Sequence, residues 1–203
     1  MDRPCPQDQC HVPPAALRDH IVQSEVATLK FLDKTGVRVP KVYDFSLERP
    51  DNPVGVGYIL MEKLPGKSLR WGLANQDQKN KVMSQIADTF AQLHRYPFDL
   101  LGSLGNNPQG FPQVGPFARE SLTRFEDGKM DAIGPFSSLE DYHMSSIRLI
   151  LDLILQEEMY PQQAVDAYLI HRFLIDLVPR VLPQTDDEKF YLKHADDKET
   201  ISW

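Results

Sequence analysis

The chain has 203 residues, 41% hydrophobic and 25% charged, which is enough apolar material for one good core or two small lobes. A formal net charge of −7 with scattered basic residues argues against a general affinity for nucleic-acid phosphates or an anionic membrane surface. The longest apolar stretch, residues 147–155, is too short for a membrane span and carries charges.

The first dozen residues read as unstructured. They hold both cysteines, Cys5 and Cys10, with His11 close by. A structural zinc site wants more ligands at paired spacing, so no metal site is expected and the thiols read as free in a reducing compartment. No apolar signal-peptide core follows Met1, and a cytoplasmic location is the expectation.

Pro13-Pro14 opens a helical stretch with Leu17, Ile21, Val26, Leu29 and Leu32 at near-helical spacing. Glu25 lies within it, and Gly36 is placed to end it as a left-handed cap. Residues 41–45 and 57–62 read as two strands joined by a polar turn, an antiparallel hairpin whose second strand is apolar enough to be buried. Leu64-Pro65-Gly66 breaks that strand. Residues 76–95 then carry Val82, Ile86, Phe90 and Leu93 on one helical side. Residues 96–136, rich in glycine and proline, read as a long loop with room for short strands. Two further helices are expected, over 138–158 with Tyr142, Ile147, Leu151 and Ile154, and over 161–181 with Val165, Tyr168, Phe173, Leu174 and Leu177. Pro161 is placed to begin the last helix and Pro183 to close it, and residues 190–193 read as a final apolar strand. There is no internal repeat, no G-x-S-x-G turn, no H-E-x-x-H pair and no Gly-Lys-Ser/Thr phosphate loop.

The order is helix with an internal glutamate, hairpin, Pro-Gly break, helical half, strand and His-x-Asp. It resembles the aminoglycoside phosphotransferase family, which shares the protein-kinase-like fold, in a branch common among filamentous fungi. The stretches that carry the resemblance are SEVATLKFL at 24–32, VPKVY at 39–43, NPVGVGYILMEKLPG at 52–66 and HADDK at 194–198. The resemblance implies an α+β fold in three parts: an unstructured segment 1–13, a partial N-lobe of helix and hairpin at 14–63, and a partial, mostly helical C-lobe at 64–203. It implies that adenine would meet the backbone C=O of Glu62 and N–H of Leu64, with Met61 behind. Glu25 would pair with a cation that grips the phosphates, Asp196 would take the proton of the attacking hydroxyl, and His194 would hold the catalytic loop in shape.

ATP and magnesium are the cofactors implied for the family, and a small-molecule hydroxyl compound is the implied substrate. No nucleic-acid or membrane partner is expected. The sequence departs from the family pattern at both ends. No glycine-rich strand-turn-strand and no strand lysine precede the first helix. Ile201 stands where the family loop has a metal-binding asparagine, and no second metal-binding aspartate follows. The expectation is therefore a family member truncated at both ends that does not catalyse the family reaction. The alternatives are a non-catalytic interaction module with a protein partner, or a truncated gene model.

Overall fold

The computed structural model describes residues 12–66, 70–182 and 188–193. Its elements run α1 (Ala15–Leu32), β1 (Val42–Ser46), β2 (Tyr58–Met61), α2 (Gln76–Leu93), β3 (Ser103–Asn106), β4 (Pro112–Gly115), β5 (Thr123–Glu126), β6 (Lys129–Ala132), α3 (Leu139–Leu155) and α4 (Ala164–Val181). The strands form three separate antiparallel pairs, β1–β2, β3–β4 and β5–β6. The architecture is thus mixed α and β, with a helix and hairpin first and three further helices after, as the α+β reading requires.

Pro14 begins α1. Its carbonyl accepts from the N–H groups of Leu17 and Arg18, and its missing donor costs nothing at that position. Leu17, Val26 and Ala27 are buried, and α1 packs principally on β3, with further contact to β1, β2 and β4. The helix stops at Leu32 with Asp33 still right-handed, so Gly36 is not its cap. A Cβ on Gly36 would lie 3.0 Å from Gln92 Oε1 of α2, so the glycine serves close approach of two segments.

β1 and β2 pair with Phe45 opposite Ile59 and Ser46 opposite Tyr58. β2 is not buried as expected: Leu60 is exposed and its other residues are half-buried. The Tyr58 hydroxyl donates to Asp44 Oδ2 at 3.0 Å across the hairpin, and this bond to a carboxylate raises the phenol above its ordinary pKa. The protonated phenol is the form favoured by folding. Its contribution is therefore present below the unfolded tyrosine pKa of about 10 and is lost as pH rises through the higher folded value. In a titration of tyrosinate absorbance, Tyr58 should ionise late, Tyr58→Phe should delete that component, and Asp44→Asn should move it back toward the ordinary value. An unshifted Tyr58 component would refute the cross-strand bond.

α2 starts with a capping box: Asn75 Oδ1 accepts from Gln78 N–H at 2.9 Å, and Gln78 Oε1 accepts from Asn75 N–H at 3.0 Å. Its apolar stripe is regular, yet Ile86 and Phe90 are exposed and none of its residues is buried.

Residues 96–136, expected as mostly loop, hold two of the three hairpins. β3–β4 turns on Asn107, whose Oδ1 accepts from the N–H groups of Gln109 and Phe111 at 3.0 and 2.9 Å. β5–β6 turns on Asp127-Gly128, both with positive φ (49° and 74°), the two-residue geometry that suits the twist of a hairpin. Arg124 and Asp131 face each other across β5–β6 and bond at 2.7 Å, and Arg124 also reaches Asp152 of α3 at 3.5 Å. Phe117, Phe136 and Tyr142 add an aromatic cluster, with centroids 5.3–6.4 Å apart, between this region and the start of α3.

Ser138 caps α3 by accepting from Asp141 N–H at 3.0 Å. α3 and α4 then pack on each other through Ile147, Leu151 and Val178, flanked by Met144, Tyr168, Leu174, Ile175 and Leu182. α4 begins at Ala164 and not at Pro161, after a turn in which Glu157 and Tyr160 take positive φ. Its inward residues differ from the expected ones, since Val165 and Phe173 face outward. Leu182, which precedes Pro183, is extended, as the residue before proline favours.

Candidate functional site

The residues assigned to adenine follow directly from the β1–β2 hairpin. The loop between the strands is held by Asn52, whose Nδ2 donates to Leu47 O at 2.9 Å and Val56 O at 2.7 Å while its Oδ1 accepts from Val54 N–H at 2.9 Å. The same loop is tied to the first turns of α1. Arg18 Nε donates to Glu48 Oε2 at 3.0 Å, and Asp19 Oδ1 accepts from Glu48 N–H at 2.8 Å. Helix, loop and hairpin therefore form one unit, and β2 leaves it in a set direction.

Met61 ends β2 half-buried. Glu62 is fastened just beyond the strand: its N–H donates to Lys41 O at 2.8 Å, and its Oε2 accepts from Lys41 N–H at 3.3 Å. The chain then leaves regular structure at Leu64, Pro65 and Gly66. Among the described residues, neither the Glu62 carbonyl nor the Leu64 N–H has a hydrogen-bond partner. One acceptor and one donor two residues apart, beside an apolar side chain, are the complement that a purine edge needs.

Glu25 sits in the middle of α1 with an exposed side chain and, among the described residues, makes no ion pair or hydrogen bond. Its neighbours Ser24 and Val26 line the larger cleft, of about 680 Å³, between α1, the end of β1 and the β3–β4 hairpin. Neither Glu25 nor the stretch from Met61 to Leu64 lines that cleft, so it does not bring these residues together.

His194 and Asp196 lie outside the described residues, but the segment that leads to them is anchored. Phe190 and Phe98 exchange backbone hydrogen bonds at 2.8 and 2.9 Å, as a single bridge and not the expected strand. Tyr191 stacks on His94 with centroids 4.3 Å apart, and Lys189 Nζ meets Asp99 Oδ1 at 2.7 Å. Residues 190–193 border a second cleft of about 450 Å³, whose other walls include Leu101, Leu104 and Phe117. The pairing of Phe98 with Phe190 was not foreseen, because a one-residue bridge leaves no alternating pattern to read.

The fold and the helix–hairpin–hinge order define a kinase-like phosphotransferase domain. Residues 11–146 match the phosphotransferase enzyme family, and the chain belongs to that family, whose activity is ATP-dependent phosphoryl transfer to small-molecule hydroxyl groups. The chain is similar to a subtelomeric hrmA-associated cluster protein of Aspergillus fumigatus, 38% identical over 134 residues that cover 64% of this chain and 24% of that protein. It is also similar to proteins called altered inheritance of mitochondria protein 9, mitochondrial. The one from Candida glabrata is 33% identical over 42% of this chain and 16% of its own length. The one from Komagataella phaffii is 27% identical over 72% of this chain and 31% of its own length. These relatives are fungal, in keeping with the fungal-type branch. The chain spans about a quarter of the length of the Aspergillus relatives it matches. No solved structure matches it significantly.

The residues present fit the base of ATP better than its triphosphate and magnesium. The stretch at Met61–Leu64 has one acceptor and one donor without partners among the described residues, the groups a purine edge would need. Glu25 has no cation beside it among the described residues, and no group of three or more His, Cys, Asp or Glu side chains placed to hold a metal occurs among them.

Proposed function

We propose that this chain carries the base-binding hinge of an ATP-dependent phosphotransferase and that these residues by themselves do not transfer a phosphoryl group. The observation that supports the hinge is the pinning of Glu62 to Lys41, with the Glu62 carbonyl and the Leu64 N–H without partners among the described residues. Met61 backs the base, and Asp196 and His194 keep the roles of proton acceptor and loop brace that the family pattern gives them. Phosphoryl transfer rests on positioning and charge neutralisation. Glu25, which makes no ion pair among the described residues, and Ile201 in the metal asparagine's position supply neither. No step is therefore assigned to magnesium in this chain.

The exposed apolar residues of α2 and α4 favour a second reading, a non-catalytic module that binds another protein. A cytoplasmic setting and a small hydroxyl compound as the family substrate belong to the first reading.

Thermal-shift titration with ATP, with and without magnesium, and an assay of ADP release test the proposal. The expected result is no magnesium-dependent rise in melting temperature and ADP release at the level of buffer. A ligand at a hundredfold excess over its Kd would stabilise by about 2.7 kcal/mol, so a clear magnesium-dependent rise is readable and would overturn the inactive reading.

A further inference from the structure

Five apolar residues of α4 fall at strict four-residue spacing: Val165, Leu169, Phe173, Leu177 and Val181. Four of them are well exposed, Val165 at 73%, Leu169 at 60%, Phe173 at 64% and Val181 at 62%, and Ile170 broadens the row at 58%. α3 occupies the other side of α4, at Tyr168, Leu174, Ile175 and Val178, so the row is not what holds α4 to the protein. A continuous apolar row of this kind marks an interaction surface.

The charges around the row indicate its occupant. Asp166 lies in the first turn of α4 and Arg180 in the last, and among the described residues neither takes part in an ion pair. Reversed about Phe173, the row matches itself. Val165 falls opposite Val181, Leu169 opposite Leu177, Phe173 opposite its own copy, and Asp166 opposite Arg180. We propose that α4 is the contact between two copies of this chain, packed antiparallel about a twofold axis near Phe173. Such an interface is isologous, so each oppositely charged pair occurs twice. Rows at four-residue spacing interlock as ridges into grooves, and the antiparallel arrangement sets the two helix dipoles head to tail. The inference does not rest on the nucleotide reading.

Analytical ultracentrifugation of the whole chain tests it. The wild type should show a reversible monomer–dimer equilibrium, and Phe173→Glu should abolish the dimer with an unchanged circular-dichroism spectrum. Asp166→Arg and Arg180→Asp, each alone, should weaken self-association roughly tenfold, since two favourable pairs become two repulsive ones. Mixing the two single variants should restore association as a heterodimer, because each then presents the charge the other needs. The double variant should dimerise like the wild type. A chain that stays monomeric overturns the proposal. So does a dimer indifferent to all these substitutions, which would place the contact elsewhere, for example on α2 at Met83, Ile86 and Phe90.

Discussion

Leu17→Ala should cost about 3 kcal/mol of folding stability, within the roughly 2–5 kcal/mol seen when a buried leucine is truncated. Leu17 is 0% exposed, and with Val26 it is one of the two largest fully buried side chains. Both lie on α1, whose principal neighbour is β3, a strand from the other half of the chain with Leu104 buried in it. This small core therefore joins the helix–hairpin unit to the hairpins that follow α2. The loss has two parts: transfer of the deleted methyl groups, and a cavity that a helix held by Arg18, Asp19 and Glu48 cannot collapse to fill. For a chain of this size the change corresponds to a fall in melting temperature of roughly 6–12 °C. Leu169→Ala, an equal deletion at an exposed position, is the control and should leave the monomer's stability within about 0.5 kcal/mol. Urea unfolding of both variants at low protein concentration measures the difference. Equal midpoints would show that α1 is not docked where the structure places it.

The positions of the four helices were legible because each carries a repeat of 3.6 residues over more than four turns, and that signal survives almost any context. What the repeat does not say is what covers the apolar side. Val82, Ile86 and Phe90 recur as regularly as any core stripe, yet α2 buries none of its residues. α4 is apolar nearly all round. Periodicity therefore could not separate Tyr168, Leu174 and Val178, which meet α3, from Val165 and Phe173, which do not. The hairpins between 96 and 136 were hidden for a different reason. Their four-residue strands are too short to show alternation, and the glycine and proline content of the region masks them. One local signal was present. Asp127-Gly128 between two short polar-apolar runs is the dipeptide that a two-residue hairpin turn demands, and it names the β5–β6 turn.

For the candidate site, the end of β2 and the irregular stretch after it were legible in the Pro-Gly break that follows an apolar strand. Glu25 was legible as a helical glutamate, and the structure places it in the middle of α1. The bonds of Glu62 to Lys41 were not legible, because they depend on where β1 begins opposite β2, which only the register fixes.

Asn52→Ala should cost about 2–3 kcal/mol, although it removes no apolar contact of consequence. Asn52 is 7% exposed and spends its whole amide on the loop between β1 and β2: two bonds to carbonyls and one from an N–H. Truncation removes the partner of Val56 O and Val54 N–H and leaves Leu47 O only the Ser46 hydroxyl at 3.3 Å, and a buried polar group without a partner costs about 1–3 kcal/mol. Water can repair the part of this loss nearest the surface, which keeps the expected sum below three full penalties. Asn52→Asp is the sharper test, because a carboxylate has no N–H to donate and would face two carbonyl oxygens. Those oxygens and the burial should raise that carboxyl's folded pKa, since the neutral acid can donate one bond where the anion donates none. The variant should therefore be less stable than Asn52→Ala at neutral pH and should recover part of the difference as pH falls and the acid becomes protonated. Because this loop sets how β2 leaves the hairpin, hydrogen exchange in Asn52→Ala should speed up at Val54, which loses its acceptor, and at the N–H of Glu62, which depends on Lys41 staying in register. Faster exchange at Val54 with Glu62 unchanged would separate the loop from the hinge and remove the structural support for reading residues 61–64 as a preset nucleotide edge.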